Sequence, residues 1–441
     1  MKRKMALFLA GLMGTSAVLG MGGCGNKGTE ELVKKEEQTS ADTGKISGEK
    51  TKLVFLRGGT EPEKKAYWEK MIAGFEEENP NIEIEFQECP YGDDFETKLN
   101  TGFASGTAPD IINFTMASMG TRVPLGQYAA LDEYVDNWEG KDDFMENALK
   151  LGSINDKIYG IAVFPDPRML AYNRELFEEA GLDPDTPPTT WEEMLEDHKK
   201  LIKKDDSGNV VQTGFAMPTS GTSMQHYMSI FIEENGVKNL VDEDNNEILC
   251  NTDKAVEAVE FMKEVADAGV IPFDCSNSEQ DPFGMGTAAM GIVTDQTFKQ
   301  LNEGALKGKI ALASPLKNTQ QATFCGMSFM FMSGETPHKD EVWKFIEYVS
   351  SAESMWTRYE DLGTTPIRES LKEKFIEQDP ETNQVIYDSI NCGTGSPKVP
   401  YANSVYNIIN EAMEKVMYDV ETPKDAMNTA AEKIQEEINN Q

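Results

Sequence analysis

The sequence predicts an α/β protein with a parallel sheet in its N-terminal half and a division into two lobes. Two observations carry this. Strand and helix periodicities alternate from residue 53 to residue 114, the βαβαβ order that yields parallel strands with right-handed crossovers. Beyond residue 52, roughly 390 residues remain, more than one hydrophobic core accommodates. A third observation, an apolar leader ending at Cys24, places the folded part outside the cytoplasm.

The leader comes first. Lys2-Arg3-Lys4 is a basic start, and residues 5–21 are apolar or small without one charge. Met21-Gly22-Gly23-Cys24 closes the segment with small residues, as a secretory signal peptide over residues 1–23 requires. The run is barely long enough to span a bilayer, which takes about 20 apolar residues. A cysteine directly after the small-residue site resembles the lipobox of bacterial lipoproteins, where the thiol receives a diacylglycerol and becomes the mature N-terminus. Met21 stands where leucine is usual. The expectation is a protein tethered through Cys24, with a plain signal peptide or an uncleaved anchor as alternatives. Residues 24–50 fit a tether, being rich in Lys, Glu, Thr, Ser and Gly with almost nothing to bury. As a flexible coil, that length holds the folded part roughly 25–30 Å from the lipid.

Folded structure is expected from Lys52. Leu53-Val54-Phe55-Leu56 reads as a buried strand ending at Arg57-Gly58-Gly59. Thr60-Glu61-Pro62-Glu63 reads as a capping box with proline in the first helical turn. Tyr67, Trp68, Met71, Ile72 and Phe75 then share one helical face up to Asn79-Pro80. Ile82-Glu83-Ile84-Glu85-Phe86 alternates as a strand with one wet face. A helix carrying Phe95, Leu99 and Phe103 stops at Gly106, and Asp110-Ile111-Ile112-Asn113-Phe114 is the third strand. Ligands of such sheets sit beyond the carboxyl ends of the strands. Gly59, Thr60 and Glu61, with Phe114, Thr115 and Ser118, therefore become candidate binding residues.

Composition narrows the partners. The chain has 41 basic and 76 acidic residues, a net charge of −35. Loss of the signal, with Lys2, Arg3 and Lys4 and no acid, takes this to −38. Such a surface repels nucleic acid and anionic lipid, so no nucleic acid is expected as a partner and the membrane only through the lipid anchor. Cys89, Cys250, Cys275, Cys325 and Cys392 are scattered and form no C-x-x-C pair, which reads as small buried residues.

The order of several short motifs resembles the family 1 extracellular solute-binding proteins, the sugar-capturing subunits of ABC importers. Gly74-Phe75-Glu76-Glu77-Glu78-Asn79-Pro80-Asn81-Ile82 and Gly106-Thr107-Ala108-Pro109-Asp110-Ile111 come first. Tyr159-Gly160-Ile161-Ala162, Leu170-Ala171-Tyr172-Asn173-Arg174 and Pro188-Thr189-Thr190-Trp191 follow. Gly286-Thr287-Ala288-Ala289-Met290 and Gly363-Thr364-Thr365-Pro366 come last. The resemblance implies a two-lobe periplasmic-binding-protein (Venus-flytrap) fold with a hinge crossed more than once. By analogy, lobe one is residues 52–161 and 332–372, and lobe two is residues 162–331 and 373–441. Ile161-Ala162-Val163-Phe164 is an apolar strand suited to a crossing, and residues 204–209 and 242–246 read as turns.

A sugar site needs an aromatic face for the ring and polar groups for the hydroxyls. Trp68, Trp343 and Trp356 lie on amphipathic helices, Trp191 opens another, and Trp138 in a polar loop stays ambiguous. Where the family commonly places a cleft tryptophan, this chain has Thr294-Asp295-Gln296-Thr297. That departure suggests a more polar site using Thr294, Asp295 and Gln296. Phe114, Phe164, Tyr401 and Tyr406 are the candidate rings, each equally readable as core. Asp166 and Arg168 follow the crossing strand into the cleft, the alternative being an exposed turn whose ion pair contributes little.

No other chemistry stands out. His198, His226 and His338 have no partners at metal-ligand spacing, so no metal or cofactor is expected. Asp242-Glu243-Asp244-Asn245-Asn246 starts like a calcium loop, but Glu247 occupies the glycine position, and a hairpin fits better. Walker and G-x-S-x-G sequences are absent, and acids this abundant make a chance carboxylate pair uninformative. The reading is therefore a monomeric, lipid-anchored receptor without catalytic residues, on the extracytoplasmic face of the cell membrane. It passes a mono- or oligosaccharide to ABC permease subunits. A binding protein for a non-sugar solute such as a polyamine, and a surface glycosidase, are the alternatives.

Overall fold

The computed structural model describes residues 50–441. The signal segment, Cys24 and the tether as far as residue 49 lie outside the described residues. Strand β1 (Thr51–Gly58) pairs in parallel with β2 (Ile82–Cys89) and β3 (Ile111–Thr115), so the βαβαβ unit forms as expected. Its first crossover helix, Pro62–Glu78, buries Tyr67, Trp68, Met71, Ile72 and Phe75. The second, Asp93–Ser105, buries Phe95, Leu99 and Phe103 and stops at Gly106, whose φ of 68° is left-handed. The expected capping box does not form. Glu61 is the N-cap residue, and no side chain caps the helix. Its carboxylate is instead paired with Arg57 and Lys64. A buried guanidinium needs a counter-charge more than the helix end needs a cap.

The chain then crosses between two sheets. β4 (Gly160–Pro167) belongs to the first sheet, and β5 (Met169–Asn173), one residue later, belongs to the second. The second sheet adds β6 (Val210–Phe215), β7 (Ala288–Val293) and β8 (Ile310–Ala313). β5 runs antiparallel to β7 and β8, and β6 is parallel to β7. β9 (Thr323–Met332) returns to the first sheet, antiparallel to both β3 and β4. Residues 162–167 and 323–331, expected in the second lobe, therefore lie on strands of the first sheet. Among the described residues β4 meets only β9, an edge position that tolerates Pro165 and Pro167, which cannot donate to a ladder. The pairing of β4 with β9 shifts register between Ser328 and Phe329.

Two apolar clusters make up the core, and the first, centred on the first sheet, also takes in Ala288, Val293, Ile310 and Leu312 of the second sheet. Phe55, Trp68, Phe75, Phe329 and Phe331 lie in the first, and Trp191, Phe215, Phe231, Met262 and Met413 in the second. Truncating one such ring to alanine typically costs about 3–5 kcal/mol. Trp138 resolves as core, buried edge-on against Trp343 with the Arg368 guanidinium 4.9 Å from its ring. Residues 241–248 form the hairpin that the sequence suggested. Cys89, Cys250 and Cys325 are buried, Cys275 and Cys392 are half-buried, and all five are free thiols.

Candidate ligand-binding cleft

Beyond the carboxyl ends of β2 and β3 lies a cleft of about 540 Å³. One side belongs to the first sheet, with Tyr91 after β2, Thr115 at the end of β3, Phe164 and Asp166 on β4, and Ser328 on β9. Facing them stand His226 in the first turn of helix Met224–Glu234, and Asp295, Gln296 and Lys299 in helix Asp295–Glu303. Arg168, between β4 and β5, sits where the two sides meet.

The aromatic surfaces are supported from behind. Phe95 stacks on Phe114 at 3.9 Å and 14°, and Phe114 lies 5.8 Å from Tyr91 at 22°. Only the last ring of this pile reaches the cleft, where Tyr91 is 45% exposed. The pile requires glycine beneath it. A Cβ on Gly58 would lie 2.7 Å from the Phe114 ring, and one on Gly59, whose φ is 98°, 2.8 Å from Tyr91. Phe324, at the start of β9, packs at 4.3 Å from His226 of the facing side, with Tyr406 edge-on to the imidazole at 5.8 Å. Phe164 packs edge-on to Tyr67 and Trp68, with the Arg358 guanidinium 5.1 Å from its ring.

The charges balance. Lys64, Arg168 and Lys299 line the cleft with Glu63, Asp166 and Asp295. Arg168 pairs with Asp166 at 2.8 Å, and its guanidinium also lies 5.9 Å from the Phe324 ring. Burial, then the charge of Asp166, pushes the Asp295 carboxyl up to about 6. Burial, then the charge of Arg168, brings His226 down to about 3, so its imidazole is neutral at physiological pH. Burial and the Glu61 charge raise the Tyr91 phenol, which stays a hydroxyl able to donate or accept.

The cleft gathers six of the residues singled out from sequence: Thr115, Phe164, Asp166, Arg168, Asp295 and Gln296. Phe114 and Ser118 support it from beneath. The Ser118 hydroxyl donates to the Thr115 carbonyl at 2.8 Å and lies 2.9 Å from the Tyr128 hydroxyl. Gly59 makes room for Tyr91, Glu61 is held by Arg57, and Thr60 is an exposed residue outside the lining. Thr294 caps helix Asp295–Glu303 by accepting the Thr297 amide, so Asp295 begins a helix instead of lying in a loop. Tyr406 stands one layer back, behind His226. Tyr401 is buried elsewhere, donating its hydroxyl to Asn246 at 2.6 Å. Its hydroxyl is spent on the hairpin, so it offers the cleft nothing.

Tyr91, His226, Phe324, Lys64 and Lys299 were not singled out from sequence. Tyr91-Gly92 directly after the β2 run was a usable signal, because the βα turns of a parallel sheet face the ligand. His226 and Phe324 had none, since they meet only through folding.

A sequence profile of bacterial extracellular solute-binding proteins matches residues 70–384. A binding protein of Brucella abortus is 25% identical over 90% of this chain and 93% of its own length. A galactooligosaccharide-binding protein of Bacillus subtilis is 22% identical over 83% of this chain and 85% of its own. The cyclic α-maltosyl-1,6-maltose binding protein of Arthrobacter globiformis, a solved structure, superposes with a TM-score of 0.76 at 19% identity. That match covers 89% of this chain and all of the other.

Proposed function

Because this chain belongs to the bacterial extracellular solute-binding proteins, we propose that it captures a neutral carbohydrate in the cleft and delivers it to an ABC permease. The observation that carries this reading is the pairing of ring faces with a balanced set of charges. Tyr91, Phe164 and His226 offer surfaces on which sugar C–H groups pack, while three carboxylates and three cations bind hydroxyls without favouring either sign of ligand. A polyamine would meet Lys64, Arg168 and Lys299 alongside Asp166 and Asp295, and Asp166 is already paired with Arg168. The sugar-binding relatives support the choice.

The two lobes move about the crossing formed by β4 and β9, opening and closing around the ligand. A sugar that touches both sides favours the closed form by its differential affinity for it. Cys24 carries the lipid, and the receptor acts as a monomer on the extracytoplasmic face.

A thermal-shift screen of neutral sugars, followed by calorimetry, tests the reading. A neutral glycan should raise the melting temperature in proportion to the logarithm of its excess over Kd. Stabilisation by spermidine or putrescine alone would favour the polyamine alternative, and release of reducing ends would favour a hydrolase. Cys24→Ala should leave an unprocessed precursor without acyl label. Equal labelling of that variant would rule the anchor out.

A further inference from the structure

Next to the cleft, in the half built on the second sheet, lies a chamber of about 320 Å³. Arg168 and His226 line both spaces and so form the partition between them. Cleft and chamber each fall within the roughly 300–1,000 Å³ of ligand pockets. One part of the chamber wall is apolar, from Tyr227, Ile230, Phe273 and Ile292. The other part carries Ser223, Asn277, Asp281 and Thr297. Asp281 is half-buried, its Oδ1 accepts the Phe283 amide at 3.0 Å, and no cationic side chain stands beside it among the described residues. The Tyr227 hydroxyl feels the negative charge of Asp281 and, more weakly, the positive charge of Arg168 at the partition.

We propose that this chamber is a second sugar subsite, so that the ligand is at least a disaccharide with one unit in the cleft and its end unit behind Arg168 and His226. The inference rests on the carbohydrate reading of the cleft. The chamber repeats that chemistry at smaller scale, with an aromatic and aliphatic wall opposite several hydrogen-bonding groups. Its carboxylate accepts hydroxyl protons and repels a phosphate or carboxylate at the ligand's end, which specifies a neutral terminal unit. Arg168 and His226 would contact both units, and the imidazole, held neutral, can accept a hydroxyl proton from either one.

Glucose, mannose and galactose oligomers of one to four units are titrated calorimetrically into the parent and into Ser278→Trp. Ser278 is an exposed residue on the chamber's rim, so an indole there blocks the chamber without disturbing the core. Cys275, a half-buried thiol in the same wall, provides a second readout through iodoacetamide labelling and peptide mass mapping. In the series that binds, the second unit should raise affinity at least tenfold in the parent. Ser278→Trp should remove that increment while leaving affinity for the single unit within about twofold. The longer glycan should slow Cys275 alkylation at least fivefold and the single unit should not. Equal length dependence in parent and variant, with Cys275 unprotected, overturns the subsite and leaves the carbohydrate reading standing. No binding by any of the three series overturns both.

Discussion

The two sides of the cleft are built by different means. On the first-sheet side, Tyr91 rests on Phe114 and Phe95, and Arg57 is buried between Glu61 and Glu88 at the end of β1. These groups are fixed before any ligand arrives. On the second-sheet side the working groups stand in first helical turns, where His226 and Asp295 are half-buried and shifted in pKa. The first side is a stiff platform, whereas the second side responds to proton and charge. A receptor needs both, because a rigid face lowers the ordering cost of capture and titratable groups aimed at hydroxyls supply discrimination.

The largest expected effect breaks the platform's support. Arg358 is buried, donates to Tyr67 and to the carbonyls of Val163 and Val349, and lies against Phe164. Arg358→Ala leaves those carbonyls unpaired beneath the crossing strand and should cost roughly 3–5 kcal/mol. Urea titration should show a lower midpoint at unchanged slope. An unchanged midpoint would mean that the platform does not depend on it.

Removing the platform's face comes next. Tyr91→Ala should weaken glycan binding by ~1.5–3 kcal/mol, about ten- to hundredfold, while Tyr91→Phe should keep most of the affinity. Calorimetry on folded variants decides it. If both variants bind like the parent, sugar packs on the opposite side, against His226.

The responsive side is tested by pH. The folded Asp295 carboxyl lies at about 6, above the ordinary aspartate value of about 3.9. The folded state therefore binds more protons than the unfolded one between about pH 4 and 6, so this group's contribution to stability falls as pH rises through that window. Asp295→Asn should consequently raise the denaturation midpoint at pH 7.5 and change it little at pH 4. A midpoint equal to the parent's at pH 7.5 would show that Asp295 is solvated like an ordinary surface acid. Binding that uses the carboxylate as acceptor should weaken below pH 6 in the parent and lose that dependence in the variant.

The smallest effect concerns the layer behind His226. The buried hydroxyl of Tyr406 has no hydrogen-bond partner among the described residues. Tyr406→Phe should be neutral or stabilising by up to about 1 kcal/mol and leave affinity unchanged. A tenfold affinity loss would mean that the hydroxyl reaches the ligand directly.

Legibility in the sequence followed the same division. The platform is local: Leu53 to Phe114 announces strand, helix and strand by periodicity, and the strand ends bracket Thr115 and the turn at Tyr91. The crossing strand was equally plain, and it delivered Phe164, Asp166 and Arg168 to the cleft. The responsive side is non-local. Phe324 and His226 lie almost a hundred residues apart in sequence, yet their rings pack at 4.3 Å. Tyr401 and Tyr406 were equally plausible as rings, and only packing separated the one tied to Asn246 from the one behind His226.

The sequence by itself determined the α/β class, the parallel βαβαβ opening and the family, because periodicity and motif order are properties of the chain alone. Tertiary structure alone decided that residues 323–331 join the first sheet, that Glu61 serves Arg57 instead of the helix end, and that Arg168 and His226 stand between cleft and chamber. Those outcomes depend on which distant groups compete for one buried charge or one strand edge, and such competition exists only once the chain has folded.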